Sequence, residues 1–354
     1  KKLVPDYKWR IWDASNDDGV NIITIDKDSV IIENLNQKRG LSANFVFDIL
    51  HTSNGQTMLA MFGGINTVSQ IDGKYIVHDI QDSVPLPSNL ITCIDQDKSG
   101  NFWCGTYDAG AFELVKKHGT YSVVLIQNKQ GLMDTRIWDI YCENSDDVWF
   151  GSNDNGLYRL SNGKMQNISL NNGLPGSMIL SIFKDRNRNL WFGSINEGFS
   201  LFRGFHLVHY SNQDGLPGTS VLAIHEGSDQ SLWVGGDGKG LAQVTFTQDK
   251  LNSKFFGKGS GFVSNEVKSL DIDSGGNLLV GTQNDGLAIM RNGVFRYFPE
   301  DDLVNNKINC VIWSRFGSIY AGTDLGYNEI KESKIHAITE AEGLINPEVQ
   351  TVIS

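Results

Sequence analysis

Trp138 lies on a short apolar run where the equivalent runs elsewhere in the chain carry Phe47, Thr92, Leu180, Leu222, Lys268, Asn309 and Gln350. An aromatic face stacks on the apolar face of a sugar ring while polar neighbours bind its hydroxyls. Arg136, just before it, is the strongest donor at this point of the sequence. Core packing accounts for Trp138 equally well. A set of turns belongs to the same end of the predicted elements: Tyr107-Asp108, Asn153-Asp154, Asn196-Glu197, Asp237-Lys239, Asn284-Asp285 and Asp324. Asn and Asp favour turns for backbone reasons alone. Polar groups converging on a pocket would also suit hydroxyl recognition. The candidate ligand-binding residues are therefore Tyr107, Asp108, Arg136, Trp138, Asn153, Asp154, Asn196 and Glu197.

Other chemistries find less support. His206 and His209 are three apart on one strand, which turns them to opposite faces. The seven histidines form no His-Glu-x-x-His pattern, and the four cysteines have no zinc-ligand spacing. Cys93, Cys104, Cys142 and Cys310 read as buried free thiols. No Gly-x-Ser-x-Gly elbow, phosphate loop or dinucleotide fingerprint is present. The expectation is no catalytic residue, no metal and no cofactor. A net charge of −11 argues against nucleic acid, whose phosphates need clustered Lys and Arg.

The elements that position these residues come from a repeat. Gly173 to Arg203 holds a Gly-Leu turn, an apolar strand, a polar turn, a strand ending Trp191-Phe192-Gly193-Ser194, a second turn and a third strand. The Gly-Leu position returns every 41–46 residues, from Gly40-Leu41 to Gly343-Leu344. Trp-x-Gly follows in register at Trp103, Trp149, Trp191 and Trp233, with Leu279 and Tyr320 as weaker versions. Four strand-sized segments at this period are the signature of a propeller blade. First strands begin with Val46, Ile91, Ile137, Ile179, Val221, Val267, Ile308 and Val349, each with Ile, Leu or Val three residues later. Both faces must then be buried, as in a blade between two others. The four tryptophans are expected buried between blades. The Asp97, Gly100 and Trp103 turn reads as structural because it repeats.

The fold class is thus all-β, a single propeller of four-stranded antiparallel blades spanning residues 1–354, with eight blades expected and seven as the alternative. Residues 1–8 are read as an N-terminal arm. Residues 9–40 with 344–354 form a composite blade, in which Glu348–Ser354 supplies the missing innermost strand beside Trp9–Ser15.

Leu86-Pro87-Ser88-Asn89 through Gly105-Thr106, with Asp97, Gly100 and Trp103 in place, resembles the two-component regulator propeller repeat. The pattern is roughly G-L-x-x-N-x-V-x-x-I-x-x-D-x-x-G-x-x-W-x-G-T, and the resemblance runs over about residues 9–354. It implies the periplasmic, extracytoplasmic sensor part of a membrane-bound bacterial regulator that detects oligosaccharides or another small molecule. Such propellers usually have seven blades. The chain contains no kinase, receiver, helix-turn-helix or membrane segment, so the membrane-linked output domain would lie outside it, and a homodimer is a candidate assembly. Two rival classes are a propeller enzyme, glycan-active or similar to streptogramin lyases, and a protein-interaction scaffold.

Overall fold

Apolar strands that bury both faces need sheets stacked face to face, and the computed structural model buries Val46 with Ile49, Ile91 with Ile94, Ile137 with Ile140, Val267 with Leu270 and Ile308 with Val311 in this way. The expectation fails on the strands that begin near Ile179 and Val221, where Leu180, Phe183, Leu222 and Ile224 are exposed. The structure describes residues 3–8, 10–15, 17–26, 29–52, 54–117, 120–126, 131–174, 176–185, 187–195, 197–203, 206–227, 229, 231–247, 250–314, 317–331, 334–342, 344 and 348–349. The described strands form eight four-stranded sheets, so the fold is an eight-bladed β-propeller. Its strands are antiparallel and taken in chain order.

Two compact units divide the chain. The first holds residues 1–195 and 200–209, the second 196–199 and 210–354. In the first, blade 1 comprises Leu3–Pro5, Ile11–Ala14, Val20–Asp26 and Ser29–Leu35. The first strands of blades 2, 3, 4 and 5 are Val46–His51, Ile91–Gln96, Ile137–Asn144 and Ile179–Lys184. In the second, blades 6, 7 and 8 open with Gly218–Glu226, Val267–Ile272 and Ile308–Trp313.

Residues 1–8 were expected to be an arm, yet Leu3–Pro5 is the first strand of blade 1 and pairs with Ile11–Ala14. The reason lies in Asp6. It stands six residues before Trp12, the spacing of Asp97 to Trp103 and Asp185 to Trp191. One Asp6 oxygen accepts the Lys8 and Arg10 backbone N–H groups, and the other accepts the Trp12 indole N–H at 3.1 Å. Asp185 closes its hairpin in the same way, through the Asn189 N–H at 2.8 Å and the Trp191 indole at 2.9 Å. In the Asp97, Gly100 and Trp103 turn the Asn101 N–H donates to Asp97 at 3.0 Å and the Trp103 indole at 3.4 Å, so the Asp six residues before the Trp is a carboxylate clasp on the hairpin with or without the Gly.

At the other end, the Val349 N–H donates to the Thr323 carbonyl at 2.6 Å. A Cβ added to Gly322 would meet Val349 Cγ1 at 2.6 Å, as one on Gly281 would meet Ile308 Cγ2 at 2.7 Å. Val349 therefore occupies the place of a first-strand residue against blade 8, and glycine ends the Trp-x-Gly strand because the neighbouring strand sits there. Thr351–Ser354 and Trp9, on which the composite blade rests, lie outside the described residues.

Trp103, Trp149 and Trp233 are buried, at 2%, 1% and 6% exposure, while Trp191 is only partly buried. Trp103 meets Phe150 of blade 4 at 6.1 Å and shares an apolar cluster with Ile137 and Val148, and Trp233 shares one with Val267 and Leu278 of blade 7. Cys93, Cys104 and Cys310 are buried and Cys142 partly so, and burial pushes the Cys93 and Cys104 thiols far up, leaving them protonated.

Aspartates on several first strands stitch blades together. Asp48 accepts the Ile49 N–H of its own strand with one oxygen and the Ile94 N–H of blade 3 with the other, at 2.7 and 3.0 Å. Asp139 does the same with Ile140 and with Ile182 of blade 5, at 2.9 and 2.7 Å. Asp271 repeats it with Ile272 and with Trp313 of blade 8. Replacing Asp48 by Ala should leave both N–H groups buried and unpaired, and lower unfolding free energy by about 1–3 kcal/mol in a urea titration. An unchanged midpoint would show that the bond adds nothing to blade packing.

Candidate functional site

Two local devices build the site. Short connections precede the first strands and end in a Leu or Phe that is buried at Leu41, Leu132, Leu174 and Phe262 and partly buried at Leu86. Gly131 precedes Leu132 at φ 94°, a conformation glycine adopts without strain. The second device is the turn after Trp-x-Gly-Thr. The Thr106 hydroxyl donates to the Gly110 carbonyl at 2.9 Å and accepts the Ala109 N–H at 2.8 Å. Ser152 closes its turn on Gly156 in the same way.

Backbone bonds lock the two devices together. The Tyr107 N–H donates to Leu90 O at 2.8 Å and the Asn153 N–H to Arg136 O at 3.1 Å. Asp134, 6% exposed, adds a clasp: one oxygen accepts the Arg136 N–H and the other the Asp154 N–H at 2.8 Å. Connection and turn thus emerge side by side, as the strand order implied.

This arrangement brings Tyr107, Arg136, Trp138, Asn153 and Asp154 together in the first unit. The Arg136 guanidinium carbon lies 3.9 Å from the Tyr107 ring centre and 5.9 Å from that of Trp138. Tyr107 and Trp138 meet edge to face at 5.9 Å. The Trp138 indole N–H donates to Asn153 Oδ1 at 3.0 Å, and Asn153 Nδ2 donates to Asp154 Oδ1 at 2.7 Å. Tyr107, Arg136, Trp138 and Asn153 are each partly exposed. Arg136 forms no ion pair among the described residues, so its charge is balanced by aromatic faces rather than a carboxylate.

Asp108 is exposed and already holds the Ser88 hydroxyl at 2.5 Å. Glu197 is exposed and belongs to the second unit, and Asn196 lies outside the described residues.

Sequence reasoning missed three members of the same surface. Phe62 meets Tyr107 edge to face at 5.8 Å, and stacks on Phe45 at 5.0 Å and against Phe47 at 4.6 Å. The three phenylalanines are partly exposed. Phe45, Phe47 and Phe62 hold in blade 2 the positions of Arg136, Trp138 and Asn153 in blade 4, and the Phe62 N–H donates to Phe45 O as Asn153 does to Arg136 O. Aligning the repeats at all three positions would have found them. Together the residues form an aromatic arc across blades 2, 3 and 4. Among the described residues no three His, Cys, Asp or Glu side chains group to hold a metal ion.

Residues 85–108 and 173–196 match the family model described as the two component regulator propeller. The first segment ends on Tyr107 and Asp108, and the second is the stretch whose pattern the rest of the chain repeats. The chain carries the two-component regulator propeller repeat. No curated protein matches the sequence. Among solved structures, the chain is similar to the extracellular domain of a putative hybrid two component system from B. thetaiotaomicron, at 16% identity and TM-score 0.49 over 99% of this chain and 48% of that one. A second such domain from that organism is 17% identical at TM-score 0.38, over 98% of this chain and 58% of that one. Virginiamycin B lyase from Staphylococcus aureus is 16% identical at TM-score 0.49, over 78% of this chain and 90% of that one. The chain spans about half the length of the first of these domains. Outside the two matched segments, the repeat pattern continues through Gly131-Leu132 and Trp149-Phe150-Gly151, which place Arg136 and Asn153.

Proposed function

We propose that this chain is the ligand-sensing propeller of a membrane-linked regulator, lying outside the cytoplasm and binding an oligosaccharide without transforming it. The observation that carries the reading is the partly exposed arc of Phe45, Phe47, Phe62, Tyr107 and Trp138 around Arg136, a guanidinium with no carboxylate beside it among the described residues. Aromatic faces in an open row suit sugar rings, and Arg136, Asn153 and the exposed Asp154 supply groups for hydroxyls. The repeat family supports the sensing role. Among the described residues no helix is long and apolar enough to cross a membrane. The partners of this reading are a membrane-linked output domain and, as a candidate, a second copy. A ligand signals only if it binds two states unequally, so the arc must differ between the resting and signalling forms.

The test is calorimetric titration with a panel of neutral oligosaccharides, with product analysis alongside. Trp138→Ala should weaken binding by at least about tenfold while costing about 1 kcal/mol of stability, because the indole is partly exposed. Glycan cleavage would establish an enzyme instead. Equal loss of folding and binding would make Trp138 a packing residue.

A further inference from the structure

In the second unit, blade 7 carries a smaller side chain than blades 3, 4 and 6 at the motif position. Leu279 stands where Trp103, Trp149 and Trp233 stand in blades 3, 4 and 6. Leu279 is fully buried in one apolar cluster with Ile289, Ile319 and Ile330. Over that cluster, between blades 7 and 8, lies a groove of about 820 Å³ whose lining includes Ile289, Val294, Phe298, Trp313 and Ile330.

The groove also carries Arg291 and Arg296. Arg291 pairs across the strands with Val294 and Ile289 with Arg296, so all four side chains share one face of the blade. The two arginines are diagonal neighbours, roughly 7–8 Å apart by sheet geometry, and repel one another. Both are exposed, and among the described residues neither has a carboxylate partner and no Asp or Glu lines the groove. On a chain of net charge −11 this is a local reversal of sign. In addition, the Trp313 indole N–H is buried with no hydrogen-bond partner, an unused donor in the wall.

From these features we infer that the groove between blades 7 and 8 is a second binding site, separate from the aromatic arc, for a small amphipathic carboxylate. The paired forks of Arg291 and Arg296 match the planar geometry of a carboxylate, and the isoleucines with Phe298 take its apolar body. A hydroxyl-rich sugar fits less well, because most of the floor offers no acceptor. Neutralising the two like charges is what the ligand adds to the protein.

The experiment titrates the full chain with 3-phenylpropionate and with its neutral isostere 3-phenylpropanamide at fixed ionic strength. The carboxylate should bind at least about tenfold more tightly, the scale of one charge-assisted hydrogen bond. The double variant R291Q/R296Q should abolish that preference and leave the amide's affinity unchanged. Val294→Trp, at an exposed strand position, should weaken both ligands by occupying the groove. Equal affinities for the two probes, absence of binding, or carboxylate binding untouched by the double variant would overturn the inference. Thermal melts of each variant distinguish lost binding from lost folding.

Discussion

Asp6→Ala should destabilise the first unit by about 3–5 kcal/mol, the cost of removing one partner from a buried ion pair. The Asp6 side chain is 2% exposed and the Arg10 side chain 10%, with Arg10 Nε donating to Asp6 Oδ2 at 2.7 Å. Without the carboxylate, Arg10 keeps only the neutral acceptors Gln70 and Tyr75, at 2.8 and 2.7 Å. The Trp12 indole N–H and two backbone N–H groups also lose their acceptor. The measurement is the urea midpoint of the variant against the parent, and a loss below about 1 kcal/mol would place the clasp among surface ion pairs. A pH dependence follows. Burial alone would raise the Asp6 carboxyl, but its bonds from Arg10, Trp12 and the backbone outweigh that and hold it below its ordinary 3.8. A carboxyl depressed on folding stabilises the folded state above its unfolded pKa. That contribution is lost as pH falls through the folded value, so Asp6 adds to acid unfolding below about pH 4. In Asp6→Ala that part of the acid transition should disappear.

Trp149→Ala should cost about 3–5 kcal/mol, whereas Trp191→Ala should cost about 1–3. Both stand at the same place in the repeat. Trp149 is 1% exposed and packs against Phe192 at 5.3 Å and Phe202 at 5.0 Å, between blades 4 and 5. The Arg159 guanidinium covers its indole at 4.8 Å, held there by two 2.8 Å bonds to Asp147. Truncation would leave a cavity that these fixed groups cannot close. Trp191 is partly exposed, so water can fill the space an alanine leaves. Equal losses in the two variants would show that the motif position, rather than burial, sets the energy.

The arc and the groove ask for different readouts. Trp138→Ala acts on glycan binding and leaves the blade 7 groove intact, while R291Q/R296Q acts on the carboxylate alone. The two sites can therefore fail independently.

The repeat, its period and its strand count were legible in the sequence because each blade solves one packing problem with the same residues. Gly ends the Trp-x-Gly strand, a Leu or Phe plugs the connection, and an Asp clasps the hairpin; spacing along the chain records all three. Even the first strand of blade 1 was recorded, in the six residues from Asp6 to Trp12, though Leu3–Pro5 is too short to show alternation. Tyr107, Arg136 and Trp138 could be proposed from residue type, but their stacking could not. It depends on the angle at which blades 3 and 4 meet, which no spacing encodes. The stitching by Asp48 and Asp139 was hidden because a short side chain reads the same whether it relieves crowding or accepts a bond from a strand some 45 residues away. The groove required still more. Leu279 is an unremarkable core residue in the sequence, and only the packed structure shows the surface that accompanies it, lined by two arginines and, among the described residues, by no carboxylate.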